Sequence, residues 1–65
     1  MDKHEVKKIR ADLAGEITEV ESALFEYHEN LRTVTEEGLI DYYAYIIKAY
    51  EAKHRYLLGK IKEVF

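Results

Sequence analysis

The sequence has no cysteine, no proline and no tryptophan, and only three of its 65 residues are glycine. Without cysteine there is no disulfide, and nothing in the composition points to an oxidising compartment. No apolar run approaches the ~20 residues of a membrane span, and residues 1–20 lack the apolar core of a signal peptide. We therefore expect a cytoplasmic protein that has no contact with a membrane.

Catalytic and nucleic-acid-binding patterns are also missing. The chain has no thiol nucleophile and no glycine-rich loop that could hold a phosphate. A net charge of −3 offers no basic surface for nucleic acid. The sequence predicts one domain, residues 1–65, that is not an enzyme, has no cofactor and binds no nucleic acid. A chain this short buries a small fraction of its surface alone and usually depends on a disulfide, a metal or a partner chain.

Apolar residues recur at alternating spacings of three and four in both halves of the chain, which is typical of helices that pack along a narrow strip. We call this strip the seam and assign Ile17 and Ile47 to heptad position a. Only Arg10 and His54 interrupt its apolar and tyrosine character. The seam residues are Val6, Arg10, Leu13, Ile17, Val20, Leu24, Tyr27, Leu31 and Val34 in the first half, and Ile40, Tyr43, Ile47, Tyr50, His54, Leu57, Ile61 and Val64 in the second.

The break between the helices falls near Thr35, a capping residue type followed by two glutamates that suit the first turn of a helix. The sequence predicts an all-α fold, an antiparallel two-helix hairpin, with helix 1 at about 3–32, a turn at 33–35 and helix 2 at about 36–64. Antiparallel pairing about this turn places residues whose numbers sum to about 67 at the same height. Val20 would then meet Ile47, and Leu13 would meet His54.

Each helix carries a further stripe of apolar or small residues outside the seam. The tyrosine stripe of helix 2, at heptad positions c and f, consists of Tyr42, Tyr45, Ala49, Ala52 and Tyr56. The small-residue ridge of helix 1, at positions b and f, consists of Gly15, Thr18, Ser22 and Phe25. Because a thin hairpin cannot bury two faces by itself, we expect a homodimer in a four-helix bundle, with the stripe of each copy on the ridge of the other.

The distribution of charge favours packing two copies end for end. Residues 1–13 and 52–65, at the open end, hold eight basic and four acidic side chains, a net charge of +4. Residues 14–51, toward the turn, hold two basic and nine acidic side chains, a net charge of −7. Opposite charges would meet in an end-for-end pair, although this sorting also serves solubility.

The sequence is also compatible with two other functions. A small regulator would dock on a larger protein through Tyr42, Tyr45 and Tyr56. A di-metal carboxylate bundle would use Glu51 and His54, which are spaced as in Glu-x-x-His, with Glu16 at the same height. The simpler interpretation pairs Glu51 with Arg55 and leaves His54 as a structural seam residue beside a polar neighbour, or as a pH-sensitive one.

Residues 34–58 resemble the YaaL-like proteins, a family of short Gram-positive bacterial proteins. The resemblance rests on Val34-Thr35, on Leu39-Ile40-Asp41-Tyr42, on Ala49 and on Tyr56-Leu57-Leu58, preceded by Ala23-Leu24-Phe25. The family often has an acid-proline pair where this chain has Glu36-Glu37, and an aromatic residue at or beside His54. The resemblance implies a small, cytoplasmic, all-helical protein with no assigned activity, and it transfers no catalytic residue.

Overall fold

The computed structural model describes residues 2–64 and contains two α-helices, α1 (Lys3–Thr33) and α2 (Glu37–Val64). They lie side by side in antiparallel directions, so the predicted all-α hairpin is confirmed. The Cα atoms span 51 × 14 × 11 Å with a radius of gyration of 15.3 Å, against roughly 11 Å for a compact domain of this length. The hairpin is a thin rod. Neither helix, over the part of the chain described, combines the length and apolarity needed to cross a bilayer.

The turn lies one residue later than the sequence predicts. Helix α1 continues through Thr33, whose hydroxyl donates to the Asn30 carbonyl, and the chain leaves the helix in extended conformation at Val34. The first carbonyl of α2 to accept helical hydrogen bonds is that of Glu36, from the amides of Leu39 and Ile40 at 3.1 and 3.0 Å. The cap position of α2 is therefore Glu36, and the prediction of Thr35 is wrong by one residue. At the other end of the rod, the Asp2 carboxylate caps α1 by accepting from the Glu5 amide.

The seam forms the contact between the helices, and its centre is the most buried part of the protein. Within residues 2–64 only Val20, Ile47 and Leu57 are buried, with 2–6% of their surface exposed. Every other seam residue is half-buried except Ile40, which is 39% exposed. The heptad pattern therefore identified the contact face of both helices, with one error at the turn end.

The register of the two helices differs from the expected one. The pairs Tyr27–Tyr43, Tyr27–Tyr50, Glu21–His54 and Arg10–Val64 have residue numbers that sum to 70–77 instead of about 67. Part of the shift comes from the later turn. The rest arises because helical side chains lean toward the N-terminus of their own helix. In two antiparallel helices the side chains therefore lean in opposite directions along the rod, and residues that contact each other are not at the same height. Ile40 is exposed because the residues at its height belong to the turn.

Arg10, the charged interruption of the seam in α1, lies at the C-terminal end of α2. Its Nε and Nη2 atoms donate to the Val64 carbonyl at 3.3 and 3.1 Å. The last carbonyls of a helix have no partner within the helix and carry its negative dipole end, so a guanidinium there is favourable. This contact explains why a cation is compatible with the seam near the open end.

Candidate interaction surface

All nine residues of the tyrosine stripe and the ridge are exposed in the hairpin. The largest exposed aromatic surfaces of the stripe belong to Tyr45, Tyr56 and Tyr42, at 74%, 62% and 54%. Phe25 is the large apolar residue of the ridge and is also mostly exposed. An apolar surface of this length on a small protein is typical of a contact site.

The ridge lies on the outer edge of α1, directly opposite the seam. Besides the a and d positions, α1 has half-buried residues at position g, namely Ile9, Ala23 and Asn30. The contact face of α1 is therefore centred on position d, and at 100° per residue the opposite direction falls between positions b and f. These are the two positions that make up the ridge.

The tyrosine stripe lies on the outer edge of α2 by the same reasoning. The less exposed residues of α2 occupy positions a and d, with Ile46 alone at g, so the opposite direction falls close to position f. The stripe, at c and f, and the ridge of α1 therefore point away from each other on opposite edges of the rod. A two-fold contact uses the same patch on both copies, so it can use one of these surfaces and not both. The expected two-fold exchange of stripe and ridge does not fit this placement.

Local contacts hold the ends of the stripe. The Tyr42 ring meets the ring of Tyr43, a seam residue, edge to face at a centroid distance of 5.3 Å. The ammonium group of Lys60 lies 5.7 Å from the centre of the Tyr56 ring. Tyr45, in contrast, has neither an aromatic nor a cationic partner within residues 2–64. The stripe is thus anchored at both ends and has an uncovered ring between them.

The ridge is open but offers little apolar area. A Cβ atom added at Gly15 would meet nothing within 4 Å. The Thr18 hydroxyl donates to the Ala14 carbonyl at 3.0 Å, so its polar hydrogen is used within α1. Apart from Phe25, the ridge consists of residues with at most a few exposed carbon atoms, which limits what a partner gains by covering it.

His54 pairs with a glutamate that the sequence analysis did not identify. Its Nε2 atom lies 3.0 Å from Oε2 of Glu21, a residue beside the seam of α1. The interpretation of His54 as a seam residue with a polar neighbour is confirmed. Glu51 forms no ion pair with Arg55 or with any other residue in the described chain, so that expected pair is wrong. Glu21 occupies a position flanking the seam, where charged residues commonly pair across helices.

The proposed metal ligands do not come together in the single hairpin. Within residues 2–64, no three His, Asp or Glu side chains form a group that could hold a metal ion. His54 faces Glu21, and the height rule that placed Glu16 beside Glu51 used the incorrect register. A di-metal site would therefore have to draw its ligands from two copies of the chain.

Three tyrosines of the seam form a cluster toward the turn. The Tyr27 ring lies 5.4 Å from that of Tyr50 and 6.2 Å from that of Tyr43, both tilted. Desolvation within this cluster, and next the adjacent hydroxyl of Tyr50, raises the pKa of Tyr27 above its ordinary value of 10.0. The neutral phenol of Tyr27 is thus favoured in the folded hairpin.

This shift predicts a loss of stability in alkaline solution. Below pH 10 Tyr27 is protonated in both the folded and the unfolded chain, so its contribution to the free energy of unfolding is fully present. Above pH 10 the unfolded chain loses the Tyr27 proton first, so the free energy of unfolding falls as the pH rises through the pKa of the folded state. We expect the free energy of unfolding, measured in urea from about pH 8 to 11, to decline less steeply in Tyr27→Phe than in the wild type. Tyr45→Phe, on the exposed stripe, is the matched control and should follow the wild type. Equal slopes for Tyr27→Phe and the wild type would contradict the prediction.

Comparisons with protein-family models, with curated proteins and with solved structures found no match for this chain.

Proposed function

We propose that the chain is a protein–protein interaction module, a helical hairpin that self-associates into a homodimer of four helices and acts as a structural or adaptor element. The observation that carries the proposal is the tyrosine stripe, three exposed rings on the edge of α2 that faces away from the seam. Tyrosine is the residue type that contact surfaces favour because its ring is large and its hydroxyl tolerates water.

The amount of exposed surface supports this function. The accessible surface of the hairpin is 5234 Å², whereas a folded monomer of this mass exposes roughly 4,300 Å². The difference, about 900 Å², is close to what one partner contributes to a standard protein–protein interface. Association would therefore bring the hairpin to the burial expected of a stable domain.

Two finer proposals accompany this function. The cysteine-free composition supports a cytoplasmic location. The resemblance of residues 34–58 to YaaL-like proteins supports a bacterial origin, and its matching positions are those of the turn and of α2.

Sedimentation equilibrium tests the proposed self-association. Over roughly 1–100 μM we expect a mass of twice 7.7 kDa, with dissociation toward the monomer only at the lowest concentrations. A monomer throughout this range would overturn the proposal. That result would favour the alternative function, in which the protein is a small regulator that docks on a larger protein through Tyr42, Tyr45 and Tyr56.

A further inference from the structure

We infer that the homodimer closes through the tyrosine stripe alone, with α2 of one copy antiparallel to α2 of a second copy about a two-fold axis near Ala49. The ridge of α1 stays outside this contact. The inference rests on the proposed self-association. It adds that the contact surface is the tyrosine stripe, that the partner is α2 of the second copy, and that the two helices align about Ala49. The two central helices are then α2 and its copy, with the α1 helices on the outside.

The centre of the stripe is complementary in side-chain size to an antiparallel copy of itself. Its order along α2 is Tyr42, Tyr45, Ala49, Ala52 and Tyr56. An antiparallel copy centred on Ala49 places Tyr45 opposite Ala52 of the second copy, and Tyr42 opposite its Tyr56. The small central residues let the two helices approach each other, while each uncovered Tyr45 ring gains a small residue to cover.

The charges of α2 are also complementary about the same centre. Residues 36–48 hold three acidic side chains and one basic, a net charge of −2, and residues 50–64 hold four basic and two acidic, a net charge of +2. An antiparallel copy brings each half of α2 against the half of opposite charge, and Asp41 comes within two residues of the level of Arg55 of the second copy. A parallel copy would bring like charges together. Lys48 alone meets its own copy near the axis, where its long, flexible stem lets the two ammonium groups separate.

A two-fold axis near Ala49 also gives the two α2 helices a long overlap. Ala49 lies close to the middle of α2 (Glu37–Val64), so a two-fold axis there lets the two helices overlap along nearly their whole length. The same axis places the turn of each hairpin, where charge is negative, beside the positively charged open end of the other. Six tyrosine rings, more than half exposed in the single hairpin, bring the buried area to on the order of 1,000 Å², the size of a specific interface.

The position of the ridge argues against its taking part. The ridge and the stripe lie on opposite edges of the rod, so a contact between the stripe of one copy and the ridge of the next repeats without closing. Such a contact would produce chains of hairpins of increasing length. A closed dimer needs one self-complementary surface, and the stripe has the size and charge patterns that provide it.

The first experiment compares the wild type with Tyr45→Glu on the stripe and Ser22→Arg on the ridge, using sedimentation equilibrium for mass and circular dichroism for helix content. Both positions are exposed, so both changes leave the seam intact. We expect Tyr45→Glu to raise the dissociation constant by about 100-fold, because each dimer carries the change twice near its centre. Ser22→Arg should keep the wild-type dissociation constant within about threefold.

The second experiment uses the absence of cysteine from the chain. Ala49→Cys introduces a single thiol beside the proposed axis, and Ser22→Cys introduces one on the ridge as the matched control. A short bis-maleimide linker should convert Ala49→Cys into a covalent dimer in high yield at a concentration where the wild type is dimeric. Ser22→Cys should form no covalent dimer with the same linker. Helix content is measured for both variants before the linker is added.

The outcomes separate this inference from the proposed function. A wild-type monomer overturns the proposed function and the inference together. A wild-type dimer that Ser22→Arg disrupts, a series of ever larger oligomers, or cross-linking at Ser22→Cys instead of Ala49→Cys overturns the inference and leaves self-association standing. A dimer that Tyr45→Glu disrupts, that tolerates Ser22→Arg and that cross-links at Ala49→Cys supports both.

Discussion

Replacing Leu57 with alanine should remove most of the stability of the hairpin. Leu57 is 3% exposed and is one of three buried side chains within residues 2–64. Truncating a buried leucine costs about 2–5 kcal/mol, and a domain of this length has a total stability of roughly 3–10 kcal/mol. We expect Leu57→Ala to be largely unfolded at 37 °C, as measured by circular dichroism during thermal and urea unfolding at one fixed protein concentration.

The adjacent leucine is the matched control for this change. Leu58 has the same side chain on the same turn of α2 but is 37% exposed. Leu58→Ala should lower the free energy of unfolding by less than about 1 kcal/mol, because it removes little buried surface. Similar losses in the two variants would show that the seam does not lie where the structure places it.

A carboxylate at Val20 should be still more damaging. Val20 is 2% exposed at the centre of the seam, and an unpaired charge there loses its water without gaining a partner. Such a change costs at least about 3 kcal/mol. We expect Val20→Asp to show no cooperative unfolding transition near neutral pH.

Ala14→Asp is the control for Val20→Asp. It adds the same carboxylate to an exposed position of α1, so the expected change in the free energy of unfolding is below about 1 kcal/mol. A cooperative, near-native transition in Val20→Asp would contradict the assignment of Val20 to the core.

The spacing of apolar residues was sufficient to predict which face of each helix is buried. Val20, Ile47 and Leu57 were all assigned to the seam from the heptad pattern, and all three are buried. The stripe and the ridge were likewise predicted to lie outside the seam, and every one of their residues is exposed. Periodicity reports the direction of a side chain around its own helix, which is a local property.

Contacts between the helices could not be predicted in the same way. Glu21 as the partner of His54, and the Val64 carbonyl as the acceptor for Arg10, depend on how far one helix is shifted along the other. That shift depends on the residue at which the turn begins and on the opposite lean of side chains in antiparallel helices. A difference of one residue at the turn, together with this lean, moved the observed partners by three to ten residues along α2.

The sequence by itself determined the all-α class, the two helices, the seam and the surplus of exposed tyrosine, because each follows from the periodicity of one helix. Only the tertiary structure decided the register, the partners of Arg10 and His54, and the placement of the stripe and the ridge on opposite edges. These depend on how the two helices are rotated and shifted against each other, which side-chain packing along the whole seam determines. Helix α1 is rotated so that its g positions, Ile9, Ala23 and Asn30, are half-buried. This rotation places the ridge on the side of α1 that faces away from α2.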